Sequence, residues 1–206
     1  MLPLSALLVC ALAAPVAYGQ LTLVVSSDGH PPAAMMDAAK SELRSILRFA
    51  DVDVEWRERT ARSRTETYQQ MIVVQLHGSC EGSGSAVSSA LASTHISNDV
   101  VLPFVEVHCD RVARLLAASI ASEAPYRRNL LVGRALARVL AHEIYHVLGQ
   151  VQHHQESGLA KARFSARDLI ASEFRFHEAA ALVASKPTIT ITASAEIDGT
   201  GFGSDR

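Results

Sequence analysis

The segment "LARVLAHEIYHVLGQVQHHQESGLAK", residues 136–161, concentrates histidines around one glutamate. His142 and His146 are four residues apart, and a helix places residues at that spacing on one face. Two imidazoles on one helix face can hold a single zinc ion. Glu143 lies one step further round the helix, beside the ion, where a carboxylate can take a proton from an activated water. The spacing therefore predicts one zinc ion on His142 and His146, with Glu143 as general base.

A third zinc ligand is required, because catalytic zinc sites normally have three protein ligands and a fourth position for water. Two adjacent histidines, His153 and His154, follow the helix. Gly149 lies before them and, having no Cβ, can end the helix in a left-handed conformation that turns the chain back under the metal. Either histidine could then reach the ion, and ligand geometry alone does not separate neighbours in a loop.

The segment resembles the metzincin metallopeptidases, whose pattern is His-Glu-x-x-His-x-x-Gly-x-x-His. Four positions match that pattern in register, namely His142, Glu143, His146 and Gly149, whereas Gln152 occupies its last position. The resemblance implies a zinc metalloendopeptidase with a twisted mixed sheet packed on helices and a long zinc-binding active-site helix. The second half of the chain contains no methionine, whereas metzincins carry one in a turn beneath the zinc.

The segment also looks like a group of small secreted bacterial proteins with a metzincin-like helix. In those proteins a histidine lies eight residues past the second motif histidine and is followed by a glycine and a hydrophobic residue. That register selects His154, followed here by Gly158 and Leu159. We therefore predict His154 as the third ligand, with His153 as the alternative.

The third zinc ligand could instead be a glutamate on a later helix, as in the gluzincin peptidases. Glu173 and Glu178 lie on a predicted helix. That helix more simply turns its apolar residues to the core and its glutamates to solvent. The Gly149 turn and the histidine doublet would have no role in such a site, so we favour a histidine.

The other histidines are interpreted as hydrogen-bonded or solvent-facing side chains, because each is isolated in a predicted turn, strand or helix. They are His30, His77, His95, His108 and His177.

Apolar runs and periodicities predict the elements that position the motif. Strands are expected at residues 21–26, 52–56, 71–78, 89–97 and 100–108, and helices at 32–50, from 110, at 126–148 and at 165–185. The run at 71–78 is predicted to be central and the run at 89–97 to be a short edge strand, and Pro103 predicts that the last strand lies at an edge or bulge. This order predicts an α/β or α+β domain.

Residues 1–19 form an uncharged apolar run that ends in small residues, which predicts a cleaved signal peptide, with an uncleaved anchor as the alternative. We expect a secreted or periplasmic protein with one domain at residues 20–185 and a disordered tail at 186–206. The first strand follows the signal directly, so we expect no pro-segment.

Two cysteines, Cys80 and Cys109, remain after the signal, and an oxidising compartment favours a disulfide between them over two separate thiols. The 19 basic residues are balanced by 21 acidic ones, which argues against a nucleic-acid partner. We expect a monomer that acts on a peptide or protein and does not bind membranes once the signal is cleaved. The competing hypothesis is a zinc-binding structural or interaction module without catalytic activity.

Overall fold

The computed structural model describes residues 19–59, 68–81, 90–156 and 158–174. The strands are β1 (Gly19–Ser27), β2 (Val52–Glu58), β3 (Gln70–His77), β4 (Ala92–Ser97) and β5 (Val100–His108). The helices are α1 (Ala33–Arg48), α2 (Cys109–Leu116), α3 (Pro125–Gly149) and α4 (Ala166–Ile170). The predicted signal peptide up to residue 18, and the predicted tail, lie outside the described residues. Among the described residues, no helix is long and apolar enough to span a membrane.

The strands form one five-stranded mixed sheet in the order β2-β1-β3-β5-β4. β4 is antiparallel to β5, and the other neighbours are parallel. This arrangement confirms the predicted α/β class, the mixed sheet and the central position of β3. β4 is an edge strand that lies against α3, so the sheet edge runs beside the motif helix.

Pro103 predicted an edge strand or a bulge: the edge is wrong, because β5 lies between β3 and β4, whereas the register shift opposite Pro103 agrees with a bulge. Pro103 is tolerated there because neither ladder pairs it: pairing with β3 begins at Phe104. On the other side, the register of β4 shifts between Thr94 and Ile96. A missing N–H at Pro103 therefore removes no ladder hydrogen bond.

One core joins the sheet to α1 and α3. Alternate residues of β3 and β5 are buried, as a sheet with one covered face requires, and α3 is buried along most of its length. The two helices approach closely at Gly133, where an added Cβ would lie 2.2 Å from the Met35 carbonyl oxygen. The close contact fixes α3, and with it the motif histidines, against the rest of the core.

Helix α4 begins as predicted and ends early. Ser165 and Asp168 form the expected capping box, in which each side chain bonds the backbone N–H of the other residue. The helix ends at Ile170, and Ala171 is extended, so the prediction of one helix to residue 185 is wrong within the described residues. Arg138 accounts for the early end, because its guanidinium donates to the Asp168 and Ala171 carbonyls at 2.8 Å.

The predicted disulfide between Cys80 and Cys109 is present, with the two Cα atoms 4.7 Å apart. Cys80 follows β3, and Cys109 begins α2 directly after β5. β3 and β5 are parallel neighbours, so their carboxyl ends lie side by side and the two thiols meet there.

Candidate metal centre

Helix α3 places His142 and His146 together near its carboxyl end, with ring centroids 4.6 Å apart. Each residue is only 7% exposed, which is unusual for a polar side chain and requires hydrogen-bond partners. His142 Nδ1 lies 2.6 Å from the Leu159 carbonyl oxygen, and His146 Nδ1 lies 2.7 Å from that of Val151. A carbonyl oxygen only accepts, so both Nδ1 atoms carry the proton and donate.

With Nδ1 protonated, the Nε2 atoms of neutral His142 and His146 are both acceptors, and they face each other at 3.1 Å. Two lone pairs at this distance repel unless a proton or a cation lies between them. Two nitrogens bound tetrahedrally at a Zn–N distance of about 2.1 Å would be roughly 3.4 Å apart. The pair therefore fits a zinc ion, with Nδ1 hydrogen bonds of the kind that orient metal-binding histidines.

His154 joins this pair from the loop after α3. Its ring stacks on that of His142 at 5.2 Å and lies edge-on to that of His146 at 4.9 Å. One ring nitrogen from each of the three histidines lies within 4.8 Å of the others, and this group does not include His153. Of the two predicted third ligands, His154 is the one that the structure brings to the pair.

The left-handed residue that ends α3 is Gln150, whereas the sequence predicted Gly149 in that role. Gly149 is the last helical residue, and Gln150 has the left-handed conformation, with φ 50° and ψ 37°. A side chain makes this conformation unfavourable. The Gln150 amide offsets that cost by donating to the carbonyls of Val101 and Val147, at 3.0 Å and 2.9 Å. The prediction of a turn was right, and its assignment to Gly149 was wrong.

The electrostatics of the histidine group favour neutral imidazoles. Burial lowers the pKa of His142 to about 4, with a further contribution from the neighbouring His146 and His154. Burial also lowers the pKa of His146. Neutral imidazole is the form that binds a metal, so both rings are ready for one without losing a proton.

Glu143 is 6% exposed and lies beside the histidines on α3. The Thr94 hydroxyl, from edge strand β4, donates to Glu143 Oε2 at 2.6 Å. Burial raises the pKa of Glu143 to about 7, although the Thr94 hydrogen bond acts in the opposite direction. Sequence reasoning missed Thr94, whose only signal was its place on a predicted edge strand.

An aromatic side chain also packs against the histidine group. Phe164 lies edge-on to the His142 ring, with centroids 5.5 Å apart. Leu159, whose carbonyl accepts from His142, and the next residue, Ala160, are fully buried.

The glutamate alternative is not supported by the described residues. Glu173 lies beyond the end of α4 and does not belong to the histidine group, and Glu178 lies outside the described residues. Tyr145, within the motif, is buried, with its ring 5.6 Å from that of His146. His30 is exposed, and His177 lies outside the described residues.

Three other histidines lie on the opposite face of the sheet, where they make ordinary polar contacts. His77 stacks on His108 at 5.3 Å, and its Nδ1 lies 2.8 Å from Asp28. His95 Nε2 lies 3.1 Å from Glu106. His77 and His95 thus have polar partners, as predicted, whereas His108 stacks on His77, so these two histidines are not isolated from each other.

The fold and the site define an α/β domain in which the longest helix and the loop after it bring together three histidines that could hold a metal ion. No protein-family model and no curated protein matches the chain. Among solved structures, the chain is similar to archaemetzincin from Methanopyrus kandleri, with 16% identity and a TM-score of 0.47. The similarity covers 84% of this chain and 97% of that one. At this level of similarity, the chemistry of the site rests on its own side chains.

Proposed function

We propose that the chain is a zinc-dependent metallopeptidase that binds one zinc ion on His142, His146 and His154. The observation that carries the proposal is the pair of opposed Nε2 atoms at 3.1 Å, with the third ring beside them. A zinc ion in this position supplies Lewis acidity towards a carbonyl oxygen and lowers the pKa of a water that it binds.

Glu143 acts as the general base in this proposal. It lies beside the histidines without belonging to their group, so its carboxylate is available to accept a proton from the attacking water and deliver it to the leaving amine. Thr94 engages Oε2 and so fixes the rotation of the carboxyl group. Because the site is buried, this hydrogen bond is not exchanged for one with bulk water.

The position of β4 supports a peptide as substrate. One side of β4 pairs with β5, and the other side is an edge of the sheet, where backbone groups can pair with an extended peptide. The Thr94 hydroxyl reaches from this same strand to Glu143. A peptide added to the edge would therefore lie beside the proposed base.

The remaining parts of the proposal rest on the sequence. We propose one catalytic domain at residues 20–185, export to the periplasm or the exterior directed by residues 1–19, and action as a monomer on peptides or proteins. The 16-residue and 25-residue helices α1 and α3 share one core with the sheet, as a single domain requires.

The test is Glu143→Gln, which keeps the size of the side chain and removes the proton acceptor. We expect zinc content and folding to be retained while peptide hydrolysis falls by roughly 100-fold to 10,000-fold. Glu81→Gln is the matched control, because Glu81 is exposed and lies outside the histidine group. A diverse peptide library provides the substrates, and zinc content is measured in parallel.

Two outcomes would contradict the proposal. Loss of zinc in Glu143→Gln would mean that Glu143 is a zinc ligand and not a general base. If the wild-type protein loaded with one zinc cleaves no peptide of the library, and Glu143→Gln behaves in the same way, the peptidase hypothesis fails. A zinc-binding module without turnover would then be the function.

A further inference from the structure

The loop that carries His154 buries few apolar side chains. Residues 152–156 are exposed, so the position of His154 depends on backbone and polar contacts. Gln155, the next residue, forms a β-bridge with Lys161, and its N–H donates to the Ala160 carbonyl at 2.8 Å. The far side of the loop, at residues 160–161, therefore supports the side that presents His154.

Lys161 is held in turn by α4. Its Nζ lies 2.8 Å from Asp168 Oδ2, and both side chains are about one-third exposed. The same carboxylate oxygen accepts the Ser165 N–H at 2.7 Å and the Ser165 hydroxyl at 2.8 Å. These contacts fix the Asp168 carboxylate, so the ion pair joins the loop to a rigid first turn of helix.

Helix α4 is fastened to the motif helix by Arg138, which is 1% exposed. The guanidinium donates to the Asp168 and Ala171 carbonyls and to the Glu42 carboxylate, and it stacks over the Phe174 ring at 4.6 Å. Arg138 precedes the first motif histidine by four residues, so both lie on the same face of α3. The contacts of Lys161, Asp168 and Arg138 thus run without a gap from the loop to α3.

We propose that Lys161 is a positioning residue for zinc binding: its ion pair with Asp168, anchored on Arg138, holds His154 against His142 and His146. The inference rests on the zinc site proposed above. Without the pair, the exposed loop would sample positions in which His154 is withdrawn from the other two rings. The free energy needed to return His154 to the other two rings would make zinc binding weaker.

The test measures the zinc dissociation constant of the purified protein by competition with a chelator. Lys161→Met keeps the aliphatic stem and removes the charge, and we expect zinc binding to weaken by roughly 2-fold to 5-fold, the size expected for an ion pair between partly exposed side chains. Lys161→Arg restores a cation that Asp168 can bind, so its affinity should return towards that of the wild type. Lys40→Met is the matched control, because Lys40 lies on α1 and has no described contact with α4 or the histidines.

A double variant separates positioning from a general structural effect. If Lys161 acts through His154, then adding Lys161→Met to His154→Ala should not weaken zinc binding further. A merely structural effect would lower the affinity in both backgrounds. Thermal unfolding of the zinc-free proteins shows whether each variant is folded, and Asp168→Asn tests the same ion pair from its other side.

The outcomes distinguish this inference from the proposed function. If the wild type binds zinc and neither Lys161→Met nor Asp168→Asn weakens that binding, the positioning role is wrong and the zinc site stands. An equal loss of affinity in the His154→Ala background would also contradict it. If the wild type itself fails to bind zinc, the proposed function and this inference are both wrong.

Discussion

Replacing Gly133 by alanine should destabilise the protein, although the same replacement in an exposed helix is stabilising. Inside a helix, alanine is favoured over glycine by about 0.8–1.0 kcal/mol. Gly133 lies on α3 where α1 crosses it, and an alanine Cβ there would be 2.2 Å from the Met35 carbonyl oxygen and 2.9 Å from the Ala38 Cβ. The sign of the effect therefore depends on whether α1 can move away.

The size of the effect follows from the nature of the contact. Real Cβ atoms essentially never approach another heavy atom within 3.0 Å, so the contact must lengthen from 2.2 Å to at least that distance. The Met35 oxygen is a backbone atom and has no rotamer to change, so α1 itself must shift within the core. Overpacking typically costs about 1–3 kcal/mol, and a contact with backbone places this site at the upper end of that range. With the helix preference of about 1 kcal/mol subtracted, we expect a net loss of about 2 kcal/mol.

Urea unfolding of the zinc-free protein measures this change without a contribution from metal binding. Gly29→Ala is the control, because a Cβ there would meet only the Gly78 carbonyl, at an ordinary 3.5 Å. The control should change the free energy of unfolding by no more than about 0.5 kcal/mol. If Gly133→Ala is as stable as the wild type, or more stable, then the close packing of α1 on α3 is wrong.

Three further predictions concern the site, the disulfide and the dependence of stability on pH. His154→Ala should lose zinc to a chelator much more readily than His153→Ala, because only two ring ligands would remain; loss in His153→Ala alone would reverse the assignment. Reduction of the Cys80–Cys109 disulfide should raise the intact mass by two hydrogens, and it should lower the free energy of unfolding by about 3.6 kcal/mol for a separation of 29 residues. Two thiols that alkylate freely in the native protein would contradict the bond. Although partial burial acts in the opposite direction, hydrogen bonds from Lys161 and Ser165 lower the pKa of Asp168 from 3.8 to about 2. The folded-state pKa is therefore the lower one, so the stabilisation is complete above pH 3.8 and is lost as the pH falls through about 2. Urea unfolding at a series of acidic pH values should show this loss in the wild type and a smaller one in Asp168→Asn; equal losses in both proteins would assign the acid sensitivity to other groups.

The parts of the site that the sequence predicted are those set by short-range spacing. The four-residue interval between His142 and His146 follows from helical geometry, and alternation of apolar residues located the strands. The Thr94–Glu143 hydrogen bond joins residues 49 positions apart, and no local pattern reports such a contact. The same is true of the antiparallel pairing of β4 with β5, which places Thr94 beside α3.

Two other predictions were wrong, the length of α4 and the left-handed turn at Gly149. In both places a side chain donates to backbone carbonyls, which the sequence pattern does not report. The amphipathic pattern after Ser165 continued beyond Ile170, but Arg138 binds carbonyls that a longer helix would use. Arginine side chains are mostly exposed and are almost never fully buried unless they are paired. The sequence therefore offered no reason to place Arg138 in the core. At the end of α3, the Gln150 side chain stabilises a left-handed residue where glycine was the natural choice.

The hydrogen bonds that orient His142 and His146 are local, whereas the hydrogen bond that orients Glu143 is not. Both Nδ1 acceptors, the carbonyls of Val151 and Leu159, lie within 17 residues of the histidines that they bond, so these two rings can be oriented wherever the end of α3 and its loop are folded. Closing so short a loop costs little conformational entropy compared with docking a distant strand. Thr94 belongs to an edge strand, which is the kind of element that opens first in native-state fluctuations. Partial opening of the sheet edge would thus release Glu143 from Thr94 and leave the carbonyl contacts of His142 and His146 in place. On the proposed function, such a state would lose activity before it lost zinc.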